Sequence, residues 1–176
     1  AKALAVGSLL ALSATQAEQA VDYTTIWWAD GQDHTISNES NTINPDSRRA
    51  ILLYSKPTTG SIIATNGDNT IKNAVSGIEI YKQSSLTYSA SGNNIFQLDD
   101  KGIAIRHPLG IGLWEHSNLT MTSGGDTSFE YTGTTYFTGD MNLVDAITVF
   151  DSTMEMNTKK LDITGFQVGI EAYTTE

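Results

Sequence analysis

The residues that could do chemistry here are a few histidines, acids and serines, and their spacing limits what that chemistry could be. The histidines are His34, His107 and His116. Each could act as a general base, but no serine near them has a recognisable activating context. His107 and His116 lie nine residues apart with Glu115 adjacent to the second. A metal site needs three or four converging ligands, and the sequence gives no reason for these to converge. Asp99-Asp100 falls at a turn, where such a pair serves the backbone as readily as it would calcium. Glu79 and Glu171 are the two acids that recur at one position of a repeat, far apart along the chain. Trp27-Trp28 reads either as a platform for carbohydrate or host contact, or as the cap of a stacked core. No catalytic, cofactor-binding or metal-binding residue is predicted, and no enzyme activity.

The elements that would position these residues are repeats. Gly77 to Thr87 reads GIEIYKQSSLT, and 33 residues later Gly110 to Thr120 reads GIGLWEHSNLT. Looser copies are Ala50–Tyr54, Gly102–Arg106, Ala146–Phe150 and Gly169–Tyr173. The common form is a small residue, an apolar one, any residue, an apolar one, then usually an aromatic. Turn signals recur at Gly67-Asp68-Asn69, Gly92-Asn93-Asn94 and Gly125-Asp126-Thr127. Each unit of roughly 25 residues holds about three short strands, and none can bury its apolar face alone. The units must therefore stack, which predicts an all-β, right-handed, single-stranded parallel β-helix. Ile51, Ile78, Ile103, Ile147 and Ile170 are expected in one inward column. Leu53, Ile80, Ile105 and Val149 are expected in the next. Leu52, Glu79, Ala104, Thr148 and Glu171 should point outward. A regular threonine row of the ice-like kind is visible only as Thr120-Met121-Thr122.

Composition agrees with this class. Thr, Ser and Asn supply 50 of 176 residues, favouring strands and turns over helices. A net charge of -10 argues against a nucleic-acid partner. There is no cysteine, so packing alone must stabilise the fold. Residues 1–17 read as a partial signal peptide: Lys2, an apolar run over Ala3–Leu12, then Thr15-Gln16-Ala17 as the cleavage site. Residues 18–49 read as a lead-in and cap, and residues 50–176 as β-helix repeats. The final copy at Gly169–Tyr173 opens a unit that the chain does not close, so the helix is expected to be incomplete at that end and prone to self-association.

With these motifs in view, the chain resembles the passenger region of bacterial autotransporters, of the pectin-lyase-like β-helix type. GIEIYKQSSLTYSASGNN and GIGLWEHSNLTMTSGGDT are similar to the degenerate repeats of those passengers. The resemblance implies export to the cell surface, outer membrane or medium of a Gram-negative bacterium. It implies an outer-membrane translocation barrel downstream, and an adhesive or structural rod contacting host or bacterial cells, glycans included. The serine-protease members carry Gly-Asp-Ser-Gly. Here Gly125-Asp126-Thr127-Ser128 lacks the Ser-Gly ending. The alternative reading is a carbohydrate-active β-helix, either a polysaccharide lyase or hydrolase or a tailspike-like glycan binder.

Overall fold

The computed structural model of the chain describes residues 19–45, 48–54, 56–101, 108–133 and 144–175. Among them every regular element is a strand, and all pairing is parallel. The first sheet holds β1 (Ala20–Tyr23), β4 (Ser40–Ile43), β7 (Asn69–Ala74), β10 (Asn94–Leu98), β13 (Thr127–Tyr131) and β16 (Leu161–Thr164). The second holds β2 (Ile26–Trp28), β5 (Arg49–Leu53), β8 (Ser76–Ile80), β11 (Leu109–Leu113), β14 (Asp145–Phe150) and β17 (Val168–Tyr173). The third holds β3 (Thr35–Asn38), β6 (Ser61–Thr65), β9 (Ser85–Ala90), β12 (Asn118–Ser123) and β15 (Thr153–Asn157). The chain visits the three sheets in turn and then repeats the circuit, which is a parallel β-helix. Residues 20–43 of the lead-in already supply four strands to these sheets.

The core follows from register. Ile26, Ile51, Ile78, Ile111, Ile147 and Ile170 form one column of the second sheet. Trp28, Leu53, Ile80, Leu113, Val149 and Ala172 form the next. The Gly110 copy therefore occupies the places expected for Ile103 and Ile105. Ile103, Ala104 and Ile105 lie outside the described residues. Ile78 has Ile51 on one side and Ile111 on the other, so its two ladder partners are both accounted for. Trp28 heads its column, half-buried against the core, while Trp27 stands out from the second sheet, 63% exposed.

The small residue that opens each repeat has a steric reason. A Cβ on Gly77 would meet the Phe96 ring at 2.9 Å, and one on Gly110 would meet Phe129 at 2.7 Å. Phe96 and Phe129, from the first sheet, stack on each other at 4.4 Å between centroids. These rings lie against the second sheet, so glycine is required opposite Phe96 and Phe129.

The three corners behave differently. From third sheet to first, the turns at 66–68, 91–93, 124–126 and 158–160 are all three residues long. Gly92 N–H donates to Gly67 O at 2.9 Å and Gly125 N–H to Gly92 O at 2.8 Å, so the turn signals read from sequence lie on one another. Beside them runs a buried asparagine ladder. Asn41 Nδ2 donates to Asn69 Oδ1 and Asn69 Nδ2 to Asn94 Oδ1, both at 3.1 Å. From first sheet to second, the connections vary from the single residue 75 to residues 99–108 and 132–144.

Candidate functional site

The outer face of the second sheet is where the expected acids project. Its outward column reads Trp27, Leu52, Glu79, Gly112, Thr148 and Glu171 in successive coils. Glu79 is nonetheless only 5% exposed. Its carboxylate accepts from Arg49 Nε and, at 3.0 Å, from the Tyr81 hydroxyl. Arg49 is thus half-buried and ion-paired. Pairing is the physical reason Glu79 tolerates burial. Glu171 accepts from the Tyr173 hydroxyl at 2.7 Å, and that bond raises the tyrosine's pKa. Glu79 and Glu171 are three coil steps apart, or roughly 14 Å at about 4.8 Å per step. A glycosidase pair needs about 5–9.5 Å, so these two do not form one.

An aromatic follows the inward column in five successive coils: Tyr54, Tyr81, Trp114, Phe150 and Tyr173. Tyr54 meets Tyr81 edge-on at 5.5 Å, and Tyr81 stacks on Trp114 at 4.8 Å. Phe150 packs on Tyr173 at 6.3 Å. The aromatic position of the repeat is therefore a row along the edge between second and third sheets. Tyr54 and Tyr173 are exposed in it and Tyr81 and Trp114 half-buried.

The histidines do not converge. His107 lies outside the described residues. His34 Nε2 lies 3.0 Å from both carboxylate oxygens of Asp30, and its ring stacks on Trp28 at 4.9 Å. The Gln32 amide, followed by His34, holds the Asp30 carboxyl below the usual range. His116 occupies the corner between second and third sheets. There Lys82, Gln83, Glu115, His116 and Asp151 all adopt left-handed backbone. Two such residues in a row are costly without glycine, and the stacked corners hold them in place. Lys82 N–H and Nζ donate to Glu115 at 2.9 and 3.2 Å, and His116 N–H donates to Asp151 O at 2.9 Å. Asp99 caps the Lys101 amide at 2.9 Å, and Asp100 is buried. Among the described residues no three of His, Asp or Glu form a metal-sized cluster. Gly125-Asp126-Thr127-Ser128 is a corner turn running into β13.

What sequence reading missed is the outer face of the third sheet. Pairing there runs one-to-one across all five strands. One outward rank is Thr35, Ile62, Thr87, Thr120 and Glu155, and a second is Ser37, Ala64, Ser89, Thr122 and Asn157. β3, β6, β9 and β12 contain no charged residue. The signal was the shared Leu-Thr of the two strong repeats, which puts Thr87 beside Thr120. The other members are separated by irregular spacings and only register aligns them.

No family model, no curated protein and no solved structure matches the chain.

Proposed function

We propose that this chain is the passenger segment of an autotransporter-like protein of a Gram-negative bacterium. It would be exported and displayed or released at the cell surface, ahead of a translocation barrel. There it acts as a structural and adhesive rod contacting host or neighbouring cells. The observation that carries this reading is the use made of the outward acids. Glu79 and Glu171 are separated by three coils and each is bonded to its own neighbour, an arrangement that stabilises a rod and assembles no reaction centre. Beads coated with the 176-residue chain should adhere to epithelial or bacterial cells above albumin-coated beads. Absence of adhesion, together with turnover of a polysaccharide lost on replacing Glu79 or His116, would overturn the reading.

A second reading, a carbohydrate-active β-helix that binds or cleaves glycan, is favoured by the aromatic row. Tyr81 and Trp114 form an apolar platform with the Glu79 carboxylate beside it. Glycan-array binding that disappears in Trp114→Ala would support it over the cell-adhesion reading.

A further inference from the structure

We infer that Asn66 is a self-modification site: in the folded chain the backbone nitrogen of Gly67 converts its side-chain amide to aspartate and isoaspartate, with no partner enzyme. Asn66 is the one asparagine of the chain that glycine follows. Ring closure must bring the Gly67 nitrogen onto Asn66 Cγ. Glycine, lacking a Cβ, reaches the backbone angles this requires more readily than any other residue.

The fold leaves both reacting groups uncommitted. Asn66 lies exposed in the turn between β6 and β7, and its carboxamide bonds to nothing among the described residues. The Gly67 N–H donates to no described group. The bonds that hold this turn use other atoms. Asn66 N–H donates to Asn38 O at 3.0 Å, and Gly67 O accepts from Gly92 N–H and from Thr65 Oγ1, both at 2.9 Å. The equivalent places in the next two coils are Ser91 and Gly124, which have no amide to lose. Other candidates are tied down. Asn93 Oδ1 accepts from Asp126 N–H at 2.8 Å, and Asn69 and Asn94 are bonded in the buried ladder. Asp30 precedes Gly31, but its carboxylate is held by Gln32 N–H at 2.9 Å and His34 Nε2 at 3.0 Å. An ionised carboxylate also offers no leaving group.

The reaction consumes only water. The Gly67 nitrogen attacks Asn66 Cγ, the N–Cγ bond forms, and the Cγ–Nδ2 bond breaks. Nδ2 leaves as ammonia, carrying the proton that Gly67 loses. Water then opens the cyclic imide. Cleavage at Cγ gives aspartate, and cleavage at the Asn66 main-chain carbonyl gives isoaspartate.

The two products treat the coil differently. Aspartate keeps the main chain and adds an exposed charge. Isoaspartate routes the main chain through the side chain, which makes it one atom longer. That atom enters between the bond to Asn38 and the bond from Gly92. The turn has no slack there, since a Cβ on Gly67 would already meet Glu39 O at 2.7 Å. Isoaspartate therefore loosens β3 and β4 from β6 and β7, and the corner acts as a clock for the age of the protein.

The test incubates the 176-residue chain at mildly alkaline pH, folded and in guanidinium. Conversion at each asparagine is followed by peptide mapping, with isoaspartyl methyltransferase labelling to identify isoaspartate. Asn66 should convert in the folded chain within roughly tenfold of its unfolded rate, a barrier difference of at most about 1.4 kcal/mol. Asn69, Asn93 and Asn94 should be protected by folding far more strongly. A larger slowing at Asn66 would overturn the inference, because the corner would then hold the two groups apart. Asn66→Gln should abolish the labelling, and labelling that persists would place the isoaspartate elsewhere and also overturn it. Amide exchange should quicken over residues 35–43 in the aged chain and stay at the parent rate in Asn66→Asp. Equal exchange in the two would refute the loosening. None of these outcomes bears on cell adhesion.

Discussion

Trp114 lies folded back over Gly112, two residues before it, and stacks its other side on Tyr81 of the preceding coil at 4.8 Å. The glycine is what lets the indole lie on the sheet, since a Cβ there would run into the ring. Gly112→Leu should therefore lift Trp114 off Tyr81. Overpacking of this kind costs about 1–3 kcal/mol. The check is a lower urea midpoint with a red-shifted tryptophan emission. An unchanged midpoint and emission would show that the indole has another resting place.

Tyr88 is wholly buried in the third sheet, and its hydroxyl has no hydrogen-bond partner among the described residues. Burial raises its pKa far above the ordinary value of 10.0. A raised folded-state pKa means the stabilisation is intact below about pH 10 and falls as pH climbs above it, where the unfolded chain ionises first. Tyr88→Phe removes the orphan hydroxyl and should leave stability at neutral pH unchanged or raise it by about 1 kcal/mol. It should also flatten the alkaline limb of the stability profile. Denaturant titrations between neutral pH and pH 11 would decide it, and equal alkaline losses in mutant and parent would count against it.

Ile78 sits between Ile51 and Ile111 with no exposed surface. Ile78→Ala should cost about 2–5 kcal/mol. Ile78→Asp, which buries an unpaired charge, should prevent cooperative folding. Circular dichroism melts of both variants test this, and a native-like melt for the aspartate would sink the register.

Asn69 donates to Asn94 Oδ1 and to Ser89 O, and accepts from Asn41. Asn69→Leu orphans groups in three places at a cost of about 1–3 kcal/mol each. Thermal melts should show a drop larger than that of Asn73→Ala, whose side chain bonds only at the surface.

The last coil is the least covered. Ile170 is 57% exposed, and each of β15, β16 and β17 has one strand neighbour. Amide exchange should be fastest over residues 153–173 and slowest over 76–90. Equal protection in the two stretches would contradict this.

Much of the fold was legible because each local pattern has one physical cause. Glycine turn signals at 67, 92 and 125 mark corners that must be tight, and apolar-x-apolar pairs mark inward faces. The local pattern could not decide between the Gly102 and Gly110 copies; the pairing of Ile78 with Ile111 shows that the Gly110 copy holds the place beside the Gly77 strand. Glu79 was legible as outward. Its burial was not, because Arg49 lies 30 residues earlier and Tyr81 reaches back over the same strand. The hydroxyl ranks were hidden for a related reason. Coils of unequal length scatter aligned threonines to offsets that no fixed period recovers.

The corners described above have a practical meaning for anyone altering this chain. One edge of the coil counts residues: from β6 onward the turns from third sheet to first are each three long, and those at 66–68, 91–93 and 124–126 are bonded glycine to glycine beside the asparagine ladder. Deleting one residue from 91–93 would put every later coil out of step. The connections from first sheet to second keep no such count, since one residue serves at 75 and a long segment serves at 99–108. A foreign peptide spliced into that edge would add length without moving a ladder. The same scaffold could thus carry interchangeable cargo on one side while its opposite side stays invariant.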